Sequence, residues 1–202
     1  MPNILRASVF FMAVASLLCG LLVEYAVSEI NTAQVQALWK DYVVAEKRLQ
    51  FDIAKMLSRE WPEMQSVAGL ERDQQFALIE LQNLKFQYLM VYDPDRIVYD
   101  DGLSRFTGFE WKVDDSEALR DLNPDFGKLE RWADLNAKRL AEHPDQGVAE
   151  RRLSSLRGDE RFRLMMDRYQ ERMDDLEAAL QMIDLADKRT ERNKVLKSQI
   201  GR

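Results

Sequence analysis

The chain has 202 residues, a formal net charge of −6 and 32% charged residues, but only 8 glycines and 5 prolines. This balance favours long helices over turn-rich β structure, and the negative charge disfavours nucleic acid as the principal partner. With one cysteine and one histidine, the sequence excludes an internal disulfide and any metal site that needs two histidines.

The most apolar stretch lies near the amino terminus, where Ala7 to Val23 (ASVFFMAVASLLCGLLV) contains no charge. As a helix it would be roughly 26 Å long, just short of a ~30 Å hydrocarbon core. We therefore predict a retained transmembrane anchor in residues 1–28. Two alternatives stay open, a cleaved signal peptide and an apolar helix buried in a soluble domain. The residues expected to face lipid are Ala7, Phe10, Phe11, Leu17, Leu18, Leu21, Leu22 and Val23.

The charges on either side of this stretch predict its orientation. Arg6 precedes it, Glu24 and Glu29 follow it, and the next basic residue is Lys40. The positive-inside rule then places the amino terminus in the cytoplasm and the rest of the chain in the periplasm. We expect a single-pass protein of a bacterial inner membrane, with the lipid bilayer as one partner.

After the anchor, residues 29–187 are expected to form one helical extracytoplasmic domain. A first helix, capped by Asn31 or Thr32, should run to about Glu60, because the residue before Pro62 is pushed out of helical conformation. Its apolar residues repeat at intervals of three and four, as in a bundle, and we interpret it as a stalk. A second helix should end near Tyr88.

The chain then changes character. Aromatic and β-branched residues flank Asp93-Pro94-Asp95, which predicts a small β-hairpin near residues 88–102. An irregular connection with one short helix near Ser116 should follow, then a helix from Pro124 or Asp125 that ends at His143, and a further turn of helix within residues 147–156.

The longest predicted helix begins after Asp159 and reaches about Ser198. Its apolar residues follow the spacing 4, 3, 4, 3, 4, 3, which predicts a coiled-coil or bundle seam that packs in a core or an interface. The pattern fails after Ala186, and residues 188–202 carry six basic residues as an exposed tail. The seam consists of Phe162, Met166, Tyr169, Met173, Leu176, Leu180 and Ile183.

Few residues suggest chemistry. No glycine-rich phosphate loop or combination of acid, base and nucleophile is evident, so we predict no catalytic residue, no metal and no cofactor. Aspartates near the hairpin could hold calcium, but Ile97 stands where an EF-hand loop needs an oxygen donor, and solvated turn residues are the simpler interpretation. A small-anion pocket is possible, although ordinary packing is favoured. Its residues would be Tyr92, Arg96, Tyr99 and Arg105.

Together these features predict a mainly α, membrane-anchored helical bundle or coiled coil with one possible small β-hairpin. The expected function is that of a non-enzymatic scaffold or accessory subunit, which binds protein partners in a membrane complex or self-associates. The alternative is a sensory, ligand-binding module that signals through a separate protein. Its order of membrane helix, stalk and bundle is similar to the extracytoplasmic parts of bacterial chemoreceptors and sensor kinases, in layout only.

Overall fold

The computed structural model describes residues 32–97, 103, 106 and 108–200, and these residues form helices and loops without a strand. The prediction of a mainly α fold is confirmed. The predicted anchor, residues 1–28, lies outside the described residues. Among the helices that are described, none combines the length and apolar character needed to cross a bilayer.

The first two long helices lie antiparallel. Residues 32–60, here α1, are helical, and the helix stops before Trp61-Pro62 as the proline predicts. A 3₁₀ turn, Pro62–Met64, leads into α2, Gln65–Tyr92. The indole Nε1 of Trp39 donates to Oδ1 of Asn83 at 2.7 Å. From Leu38 onward, the described residues belong to one compact unit.

The first strand of the predicted hairpin is wrong, because residues 88–92 form the last turns of α2. Phe86, Leu89 and Met90 are buried on one face at helical spacing, so packing outweighs the strand preference of the aromatic and β-branched residues. The helix ends at Asp93, before a 3₁₀ turn, Pro94–Arg96. The last part of the predicted hairpin, residues 98–102, lies outside the described residues.

Three shorter helices follow: α3 (Val113–Leu122), α4 (Pro124–Ala141) and α5 (Gln146–Leu156). The side chain of Asn123 caps α4 by accepting from the backbone N–H of Asp125 at 3.1 Å, and Pro124 occupies the first turn, where its missing N–H costs nothing. The side chain of His143, just after α4, contacts Ser66 near the start of α2 at 3.3 Å. Helix α4 therefore packs antiparallel to α2.

The last helix, α6 (Glu160–Ile200), begins as the sequence predicts. Oδ1 of Asp159 accepts from the backbone N–H of Arg161 at 2.8 Å, and hydrogen bonding to Arg161 lowers the pKa of Asp159 to about 2. Arg161 pairs with Glu60 at 2.8 Å and Arg172 pairs with Asp41 at 2.6 Å. Helix α6 therefore runs antiparallel to α1, on a different flank from α2.

Two clusters stand out in the core. At the α1–α2 turn the cluster is aliphatic and joins α5 to α1 and α2. A second cluster, near the start of α1 and the end of α2, is aromatic. The rings of Trp39 and Phe86 stack with their centroids 4.2 Å apart, and Phe106 packs against both. The buried members of the aliphatic cluster are Ala54, Leu57, Met64, Val67, Ala68, Ala149 and Leu156.

Candidate interaction surface

A groove of about 620 Å³ runs between α1 and α6. On each helix the lining residues recur at intervals of three and four, so each contributes one face. Leu164 and Met165 supply apolar surface from α6, and Leu164 is 49% exposed. From α1 the lining residues are Ala45, Arg48, Leu49, Asp52, Lys55 and Met56, and from α6 they are Arg161, Leu164, Met165, Arg168, Tyr169 and Arg172.

The rim of this groove is strongly basic, with five cations and one acid. Arg48 pairs with Asp52 at 2.8 Å, and Arg161 and Arg172 are held by the acids that join α6 to α1. Lys55 and Arg168 have no ion-pair or hydrogen-bond partner among the described residues. The groove thus presents two uncompensated positive charges beside an apolar floor.

One polar contact pins the middle of α6 to α1. The hydroxyl of Tyr169 donates to the carboxylate of Glu46, and Tyr42 lies near the same carboxylate. Burial and the negative charge of Glu46 raise the pKa of both tyrosines above the ordinary value. The carboxylate of Glu46 therefore opposes ionisation of both hydroxyls, and the Tyr169 hydroxyl keeps the proton that it donates.

The predicted seam of α6 divides into two parts. Met173, Leu176, Leu180 and Ile183 are buried, at 9% exposure or less. Phe162, Met166 and Tyr169 are half-buried, alongside the groove. Tyr169 also lines the groove, and the other lining residues of α6 lie on the neighbouring face of the helix. The tail predicted from residue 188 continues α6 as far as Ile200.

Of the four residues predicted for a small-anion pocket, Tyr99 and Arg105 lie outside the described residues. Tyr92 is 59% exposed and packs against Tyr88, with ring centroids 4.9 Å apart. The guanidinium of Arg96 is turned inward instead: it forms a two-pronged ion pair with Asp115 and donates to the carbonyl of Glu110 at 2.6 Å. The role of these residues in anion binding stays a prediction.

The Arg96–Asp115 pair has a clear structural role, because both side chains are nearly 90% buried. Asp115 also accepts from the backbone N–H of Lys112 at 2.8 Å, which caps the start of α3. Hydrogen bonding to Arg96 lowers the pKa of Asp115, and the same pairing raises that of Arg96. The pair therefore fixes α3 to the turn after α2.

A second cleft, of about 410 Å³, lies between α2 and α4. It is lined by both charged and apolar residues and by Gln74, which is only 8% exposed. Oε1 of Gln74 is buried and has no hydrogen-bond partner. Within the described residues no group of three or more His, Cys, Asp or Glu side chains is arranged to hold a metal ion.

Sequence reasoning missed the groove and the cleft. The available signal was a basic, apolar stripe on α6, with Arg161, Leu164, Arg168 and Arg172 at intervals of three, four and four. A stripe on one helix does not reveal its partner, and here the partner is α1, more than 100 residues away in sequence. No family model, curated protein or solved structure matches this chain.

Proposed function

We propose that this protein is a non-enzymatic, membrane-tethered helical subunit, which docks an acidic amphipathic helix of a membrane assembly in the α1–α6 groove. The observation that carries this proposal is the groove itself, with its apolar floor and basic rim. Helix-in-groove recognition requires an apolar channel for one face of the guest helix and complementary charge at its edges.

The dimensions support a helix as the guest. The lining residues run from Ala45 to Met56 along α1, which corresponds to roughly 17 Å or three helical turns. A third helix laid in this channel would cover Leu164 and Met165 and complete a bundle. Its glutamates or aspartates would meet Lys55 and Arg168, which have no described partners.

A model helix tests this directly. We expect a labelled three-heptad peptide with leucine on one face and glutamate on both flanks to bind the protein in a fluorescence anisotropy titration. Binding should weaken as salt rises, because exposed charges are screened within about 8 Å at physiological ionic strength. A twin peptide with lysine flanks should not bind.

The matched variants reverse the same amount of charge in two places. Lys55→Glu with Arg168→Glu should weaken binding of the acidic peptide at least tenfold, because attraction becomes repulsion. Arg139→Glu with Arg151→Glu leaves the groove unchanged and should retain full binding. Equal loss in both double variants would show an unspecific effect of net charge and would contradict the proposal.

The tether rests on the sequence from Ala7 to Val23, whose apolar length approaches that of a membrane span. We expect the full chain to stay with membranes after carbonate washing, and its mature amino terminus to retain this stretch. A mature protein that begins near Glu29 would contradict the tether. The peptide experiment would then be the only test of docking in the groove.

A further inference from the structure

The cleft between α2 and α4 carries an inference that is independent of helix docking. Its walls combine three kinds of surface. Leu78, Leu81 and Ala133 are apolar, Arg131 and Asp134 are charged, and Gln74 contributes a buried amide; the remaining lining residues are Arg120, Gly127 and Glu130. At about 410 Å³, the cleft lies within the range of small-molecule sites.

Two of the charges are available to a ligand. Arg120 and Glu130 neutralise each other through a two-pronged pair at 2.7 and 3.2 Å. Arg131 and Asp134 lie one turn apart on α4, yet neither has an ion-pair or hydrogen-bond partner among the described residues. A cation and an anion one helical turn apart suit a small ligand that carries one charge of each sign.

The Gln74 amide adds a separate indication. Its side chain is more than nine-tenths buried, and it forms no hydrogen bond with a described residue. An unpaired buried amide is costly, and such groups normally find a partner in the protein, in water or in a ligand. Once the amide turns toward the cleft, an ammonium group bound there would supply the missing donor.

Gly127 leaves space in the cleft because it has no side chain. A Cβ atom at this position would lie 3.6 Å from Cγ of Arg120 and 3.7 Å from Nη1 of Arg131. These are ordinary van der Waals distances, so alanine fits, whereas a longer side chain must enter the space between the two arginines. This position therefore offers a way to fill the cleft without changing its charges.

We propose that this cleft binds an aliphatic α-amino acid. Its carboxylate would pair with Arg131, its ammonium group would bond to Asp134 and the Gln74 amide, and its side chain would lie on Leu78 and Leu81. The two charged groups of such a ligand are opposite in sign, as are the two side chains of α4 that have no described partner. Charge-assisted hydrogen bonds of this kind are among the stronger ones available to a small ligand.

L-leucine is the probe, titrated calorimetrically into the full-length protein at millimolar concentrations. Two analogues test each charge separately: isocaproate lacks the ammonium group and isoamylamine lacks the carboxylate. We expect leucine to bind at least tenfold more tightly than either analogue. Failure of leucine to bind overturns the proposal, and isocaproate binding as tightly as leucine would show a simple anion site and also overturn it.

Variants locate the binding. Arg131→Gln and Asp134→Asn should each weaken leucine binding at least tenfold, and Gly127→Leu should abolish it, whereas Gly127→Ala should retain it. Arg139→Gln removes an exposed cation from the same helix outside the cleft and should leave binding unchanged. Because Arg131 and Asp134 are exposed, their variants should fold normally. Full leucine binding by both variants, checked for native helix content, would contradict the assignment.

Discussion

The two flanks of α1 are built differently. Toward α2 the interface is filled: Trp39 and Leu57 are at most 2% exposed, and the indole stacks on Phe86. Toward α6 the helices are joined along the groove by polar contacts at intervals, through Asp41, Glu46 and Glu60, with an open channel beside them. The filled flank fixes the fold, and the open flank leaves apolar and basic side chains exposed.

The largest effect should come from the filled flank. Trp39→Ala removes a buried ring, its stacking on Phe86 and its hydrogen bond to Asn83. It should cost about 3–5 kcal/mol in the free energy of unfolding, measured with urea. Leu164→Ala, in the groove, should change stability by less than about 0.5 kcal/mol because this side chain is already half exposed. Similar losses for the two variants would contradict the comparison.

The next effect concerns the ion pair that fixes α3. Asp115→Asn leaves the buried Arg96 cation without its counter-charge and should cost about 3 kcal/mol at pH 7. The pKa of Asp115 is lowered in the folded state, from an ordinary value of 3.8. The carboxylate therefore stabilises the fold above pH 3.8, and this contribution is lost as the pH falls through the folded pKa. The difference between wild type and variant should shrink in acid unfolding experiments, and a difference that is constant with pH would refute this role.

A smaller effect should come from a hydrogen bond between α6 and α1 on the open flank. Tyr169→Phe removes the hydroxyl that donates to Glu46 but keeps the ring. It should cost about 0.5–1.5 kcal/mol, the usual net value of one hydrogen bond. Chemical denaturation measures this loss, and Tyr88→Phe, whose hydroxyl has no hydrogen-bond partner among the described residues, serves as the control. A loss as large as that of Trp39→Ala would mean that the α1–α6 flank is as tightly built as the other.

The smallest effect should be a gain in stability. Burial, together with the nearby negative charge of Glu150, raises the pKa of Glu71 above its ordinary value of 4.5. The folded state therefore favours the protonated acid, and this preference is lost as the pH rises through the folded pKa. Glu71→Gln should raise the free energy of unfolding at pH 7 by less than about 1 kcal/mol, and the melting temperature with it, since solvent screens a half-exposed charge. Below pH 4 the two proteins should have the same melting temperature. A variant that is more stable than wild type only at low pH would contradict a raised pKa of Glu71.

Local signals predicted the helix ends well. Pro62 stops α1 and Asp159 begins α6, because backbone sterics and capping act within a few residues of the chain. The same local reasoning failed at residues 88–92, where burial of Leu89 and Met90 keeps α2 helical. The strand propensity of this stretch was real but weaker than the packing of a continuing helix.

The sites could not be predicted in the same way, because they depend on contacts between distant parts of the chain. Tyr169 and Glu46 are 123 positions apart, and the groove exists only once they meet. The cleft at Gln74 requires α4 to lie along α2, which no local pattern indicates. The partner of Arg96 was equally hidden in the sequence, because Asp115 lies 19 residues later and meets the guanidinium only when α3 packs against the turn after α2.

The central claim is that the open flank of α1 binds a helix, and photo-crosslinking tests it most directly. A benzophenone side chain placed at Leu164 should attach to the glutamate-flanked model helix on illumination, and the same group at Val113, which is 78% exposed on α3, should not. The lysine-flanked twin should give no product at either position. Equal crosslinking from Leu164 and Val113, or none from Leu164 at saturating peptide, would contradict the account.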